Sequence, residues 1–127
     1  MERLRRILYA PPVARAGYLY ATAVGLTLGA LFSTGRIRRV DGLFVCAGMP
    51  RWAFRRGGTC VGGVYLTDTN DDPAVLRHEA VHRRQWQEFG MMFPLLYWLA
   101  GSDPLQNHFE IEAGLEDGNY LPRRRTR

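Results

Sequence analysis

The sequence predicts an α+β fold: an N-terminal helix, a small, mostly antiparallel sheet, and then a set of helices. Three observations predict it. Residues 16–35 carry no charge at all; residues 36–67 break into short apolar runs bounded by glycine and aspartate; and from residue 73 onward two Asp-Pro pairs each open a helical pattern. With 127 residues there is room for one domain and one core.

The uncharged run from Ala16 to Gly35 is long enough to span a bilayer and is flanked by Arg15 and by Arg36, Arg38 and Arg39. Its four glycines and several Thr and Ser residues dilute it, and no small-residue cleavage site follows it. Two readings stay open: a helix packed on the protein's own sheet, and a segment in contact with a membrane, which leaves the location open between cytoplasmic and membrane-associated. In the sheet region, 36–67, Asp41-Gly42 between Arg36–Val40 and Leu43–Ala47 is a two-residue hairpin signal. Trp52 to Phe54 and a turn-like Arg55–Gly58 follow, and a last strand is expected from Thr59 to Thr67, with Gly62-Gly63 marking a bulge or a place where another backbone approaches closely. Residues 73–115 are expected to carry helices. Asp72-Pro73 reads as an N-cap with proline at the first helical position, and Gly90 as the stop. Met91–Ala100 is short and apolar, a core helix rather than a span. Asp103-Pro104 repeats the start signal and opens a helix to about Leu115, after which residues 119–127 form a basic tail.

Apolar residues make up 46% and charged residues 23%, as in ordinary globular chains, which excludes disorder and a polytopic membrane protein. The net charge of +5 comes entirely from arginine, without a single lysine, and much of it sits at the two ends. The arginines form no continuous stripe along the sequence, so no nucleic-acid partner is expected. Cys46 and Cys60 are too few for a disulfide framework and are spaced unlike a metal or redox pair; whether they are bridged stays open.

The chemistry concentrates in His78-Glu79-Ala80-Val81-His82, inside the expected helix from Pro73 to Phe89. Histidines four apart lie about 40° apart around a helix, so both imidazoles reach one ion on one side. In a shuffled chain of this composition the pattern arises about three times in a thousand, which makes accident a poor explanation. Two neutral imidazoles and a carboxylate suit one Zn2+ with water in the fourth position. Glu79 is badly placed to be a ligand and well placed to sit beside that water as general base. A third protein ligand must come from downstream, where His108, Glu110 and Glu112 are the candidates; Glu110 and Glu112 point about 200° apart on a helix, so only one of them serves. Gln85 shares the metal-facing side of the first helix, and Tyr97 and Tyr120 are the hydroxyls available to stabilise an oxyanion.

These residues resemble the gluzincin class of zinc metallopeptidases in its minimal, single-domain form. In that class HExxH supplies two ligands and the base, and a following helix supplies a Glu, often with Ala three residues on and Asp four on. Glu110 and Ala113 match; Gly114 stands where the Asp would be. The resemblance thus implies a zincin-like fold with His78, His82 and Glu110 as ligands, and it makes Asp117, seven residues beyond Glu110, the candidate to hold a ligand imidazole instead. It also implies an edge strand before the active-site helix, here Thr59, Val61, Gly62 and Gly63, that takes an extended peptide as a further strand. The expected function is zinc-dependent hydrolysis of a peptide or protein substrate, with zinc-bound water activated by Glu79. The alternative is a noncatalytic, zinc-stabilised adaptor, which differs in having its fourth zinc position filled by protein.

Overall fold

The computed structural model describes residues 1–54 and 57–122. Its elements are α1 (Glu2–Leu8), α2 (Pro11–Phe32), β1 (Arg38–Val40), β2 (Leu43–Cys46), α3 (Arg51–Phe54), β3 (Gly58–Val61), β4 (Val64–Thr67), α4 (Pro73–Phe89), α5 (Met92–Leu99) and α6 (His108–Ala113). The four strands form one sheet in the order β1-β2-β4-β3. The α+β expectation is met, and two of the three pairings are antiparallel; β2 and β4 run parallel.

The sheet is covered on both faces. Leu43 and Val45 of β2 and Tyr65 of β4 pack with Val75 and Leu76 of α4. The alternate residues Cys46, Val64 and Leu66 turn to the other face, where Leu26 of α2 meets them. All four residues of β4 are therefore buried, as expected of a strand with a helix on each side.

Asp41-Gly42 makes the expected hairpin turn, both residues at positive φ. Gly62-Gly63 is not a bulge in one long strand. It is the turn of a second hairpin that splits Thr59–Thr67 into β3 and β4. Gly62 lies at φ +60°, and a Cβ there would stand 2.5 Å from the Thr22 nitrogen of α2, so the turn both needs and exploits glycine.

The uncharged segment is a helix that starts earlier than expected, at Pro11, and ends at Phe32. It lies on the sheet through small residues. Ala14, Ala21, Gly25 and Gly29 are its buried positions, and a Cβ at Gly29 would come within 2.4 Å of the Cys46 sulfur. Among the described residues no helix is long and apolar enough to cross a membrane.

α4 begins where Asp72-Pro73 says it should: the Asp72 carboxylate accepts hydrogen bonds from the Ala74 and Val75 amides, both at 3.1 Å, and Gly90 ends the helix. The second Asp-Pro pair does not open a helix. Asp103 caps a turn by accepting from the Leu105 amide, and α6 starts five residues later at His108, capped by Asn107. The physical reason is that buried Asn107 satisfies α6 and α5 at once. Its Oδ1 accepts from the Phe109 amide, and its Nδ2 donates to the carbonyls of Tyr97 and Gly101. Cys46 and Cys60 are both free. β4 lies between their strands, so they are not neighbours able to bridge. Arg55 and Arg56 of the expected turn, and residues 123–127 of the basic tail, lie outside the described residues.

The close seat of α2 makes a contrast testable. Gly29→Leu should destabilise the protein by about 3 kcal/mol through overpacking against Cys46. Ala23→Leu, on the exposed side of the same helix, should stay within about 0.5 kcal/mol of wild type. Urea unfolding of the two variants measures the difference.

Candidate metal centre

α4 turns His78 and His82 to one side, and α6 brings Glu110 to meet them. All three are buried, and one ligand atom from each lies within 4.8 Å of the others. The two Nε2 atoms are 3.1 Å apart. Glu110 Oε1 is 3.5 Å from His78 Nε2 and in direct contact with His82 Nε2.

Both outer ring nitrogens are committed. His78 Nδ1 lies 2.7 Å from the carbonyl of Gly114, and His82 Nδ1 lies 2.7 Å from Gln85 Oε1. The Gln85 amide cannot be turned round, because its Nε2 donates to the Phe109 carbonyl and to Glu112 Oε1. Each imidazole therefore donates through Nδ1, and in its neutral form its Nε2 carries a lone pair rather than a proton. In that form two lone pairs and a carboxylate face one another, a repulsion that a proton on a ring or a bound cation relieves. This buried His-His-Glu group can hold a metal ion, and its donors fit one: two imidazole nitrogens and one carboxylate oxygen, each held from behind.

The ionisation of the group follows from the same geometry. Burial alone would lower His82, but its hydrogen bond to Glu110 and the nearby carboxylate charges outweigh burial and raise it. Burial works against the Glu110 anion, yet hydrogen bonds from His78 and His82 hold it well below the usual carboxylate range. Glu79 is pushed up to about 7, chiefly by burial and against the pull of the two histidines.

Glu79 is not among the converging ligands. It opens instead onto a cleft of about 360 Å3 that His82 and Glu110 also line. Trp86, Phe93, Pro94 and Tyr97 form its apolar wall, Tyr120 another part, and Gly58, Thr59 and Cys60 of β3 border it. β3 is the outermost strand on that side.

Most residues singled out from sequence meet here, and some do not. Gln85 touches His82, and Glu112, the rival candidate for third ligand, holds Gln85 instead. Tyr97 lines the cleft, its hydroxyl pushed up to about 12 mainly by burial. Tyr120 faces Glu110, and burial with that carboxylate raises its hydroxyl further. Asp117 does not hold an imidazole. α6 ends at Ala113, so the helical face expected to carry Asp117 does not exist, and its carboxylate pairs with Arg77 at 3.5 Å. The carbonyl of Gly114, the residue standing where the resemblance expects an aspartate, does that work instead. His108 lies away from the cluster, in a groove with Arg5, Tyr9 and Phe89. Of the expected peptide-binding edge, only Thr59 borders the cleft. Val61 is packed into the core, and Gly62 and Gly63 are pressed against α2, where the Gly63 amide donates to Thr22 Oγ1. Sequence reasoning missed Asn107, whose position three residues before Glu110 is an N-cap signal. It also missed Gly118, where a Cβ would stand 2.5 Å from the His78 ring.

Comparison with protein-family models, with curated proteins and with solved structures returns no match for this chain.

The hydrogen bonds behind the ligands separate two substitutions. Gln85→Ala frees the His82 ring and should weaken binding of Co2+ by about 10–100-fold, while Asp117→Asn should leave it unchanged. Competition titration against a chelator, read on the absorption of bound Co2+, checks both.

Proposed function

We propose that the protein is a zinc-dependent peptidase with a zincin-like arrangement of helix, sheet, active-site helix and ligand helix. One observation carries the reading. A buried carboxylate that is not a ligand, Glu79, shares an open cleft with the ligands His82 and Glu110. A site that only stabilised the fold would need neither the spare carboxylate nor the opening.

His78, His82 and Glu110 would hold Zn2+, which when bound polarises a carbonyl and lowers the pKa of water toward neutrality. The two imidazoles and one carboxylate match that ion in donor type, and the Nδ1 hydrogen bonds keep both rings oriented toward it. Glu79 takes the proton from the attacking water and delivers it to the leaving nitrogen. Its raised pKa reflects a dry surrounding in which the carboxylate is a better base than in water. Tyr97 and Tyr120, both on the cleft, are the hydroxyls available to stabilise negative charge on the carbonyl oxygen. The substrate is a peptide laid in extended form past Gly58 and Thr59, with one side chain against Trp86, Phe93 and Tyr97. The resemblance to minimal gluzincins supports the same chemistry.

Glu79→Gln keeps all three ligands and removes the base. The variant should retain one zinc per chain and lose at least about a hundredfold in hydrolysis. Both proteins are loaded with zinc and incubated with a diverse peptide library, and new termini are counted by mass spectrometry. Wild-type cleavage no greater than that of the variant would contradict the proposal and leave the zinc-stabilised adaptor as the better account.

A further inference from the structure

We propose that the outer face of α2 docks on an anionic phospholipid bilayer, with the helix lying along the surface. The helix is inverted relative to one made for water. Its small residues, Ala14, Ala21, Gly25 and Gly29, face the protein, while Tyr20 and Leu31 stand 63% and 70% exposed on the far side with Leu19 and Val24. After Arg15 the helix carries no charged residue. The one threonine near the middle of the outer face has its hydroxyl already spent, because Thr27 Oγ1 donates to the Ala23 carbonyl 2.8 Å away. From Ala16 to Phe32 the uncharged face runs for 17 residues, about 25 Å, and nothing among the described residues covers it.

Charge identifies the partner. Residues 1–40 hold seven arginines and one acidic residue, whereas the rest of the chain holds ten arginines and eleven acidic residues. The excess positive charge thus belongs to the segment that contains α2. Arg3, Arg5, Arg15 and Arg36 are exposed and have no acidic partner among the described residues. Of these, Arg15 lies near the start of the apolar face and Arg36 just past its end. An apolar strip between basic ends fits the boundary between anionic headgroups and acyl chains. A protein partner of this chemistry would have to offer an apolar groove with acidic ends, a far more specialised surface than the bilayer. Since no described helix is long and apolar enough to cross a membrane, α2 would rest in the interface and keep its seat on the sheet.

The full-length zinc-loaded protein is sedimented with vesicles of phosphatidylcholine alone and of phosphatidylcholine mixed with phosphatidylglycerol, at low and high salt. Binding to the mixed vesicles should exceed binding to phosphatidylcholine by at least about tenfold and weaken with salt. Leu31→Glu should lower it by at least about tenfold. Leu19→Glu, on the same exposed side, is the second variant, and circular dichroism confirms that each is folded. Absence of binding to the mixed vesicles overturns the proposal, as does binding that both variants retain. A dimer in solution that either substitution dissociates, without vesicle binding, assigns the face to a second copy of the chain and overturns it equally. Zinc content and hydrolysis do not enter this readout, so its failure is separate from failure of the peptidase reading.

Discussion

Two imidazole nitrogens 3.1 Å apart, with their lone pairs turned toward each other and toward a buried carboxylate, repel unless a cation stands between them. The arrangement of the C-terminal half depends on meeting that constraint. His78 and His82 come from α4 and Glu110 from α6, so whatever cation satisfies them also fastens the two helices together. The groups behind the ligands extend the constraint outward. Gly114 fixes one ring from the end of α6, Gln85 fixes the other, and Glu112 and the Phe109 carbonyl fix Gln85. A bare proton can relieve the repulsion locally, which is the meaning of the raised His82. A bound metal ion would relieve it for all three side chains at once.

The rest of the fold works to keep this group dry and in place. β4, buried on both faces, gives α4 a rigid seat through Val75 and Leu76. Asn107 ties the start of α6 to the carbonyls around α5, setting where Glu110 sits along the helix. Phe93, Phe109 and Tyr97 pack against one another beside the cluster, Phe93 and Tyr97 also forming part of the cleft wall. The cleft wall is made in part by residues that also make the core, Trp86 and Phe93 among them.

What could be read from sequence was local and strongly patterned. The Asp72 cap, the Gly90 stop, the Asp41-Gly42 hairpin and the His78–His82 spacing each depend on a few adjacent residues, and each reappears in the structure. The misreadings involved choices made by tertiary packing. Gly62-Gly63 fits a bulge as well as a turn until α2 is placed against it. Asp103-Pro104 is a good start signal, but Asn107 wins because its amide bridges two elements that are separate in sequence. Asp117 looked helical only if α6 continued, and α6 stops at Ala113. A backbone carbonyl such as that of Gly114 leaves no trace in the residue type, so its role in holding His78 was illegible without coordinates. The orientation of α2, small residues inward, was visible as a composition but not as a direction.

The metal content of the protein, purified without added metal, tests the central claim most directly when combined with X-ray absorption at the metal edge. The account predicts one zinc per chain, with a ligand shell of two imidazoles, one carboxylate and a light oxygen atom at distances of about 2.0–2.2 Å. A protein that is metal-free as purified and gains no zinc on addition, or a zinc whose shell lacks imidazole, would contradict it.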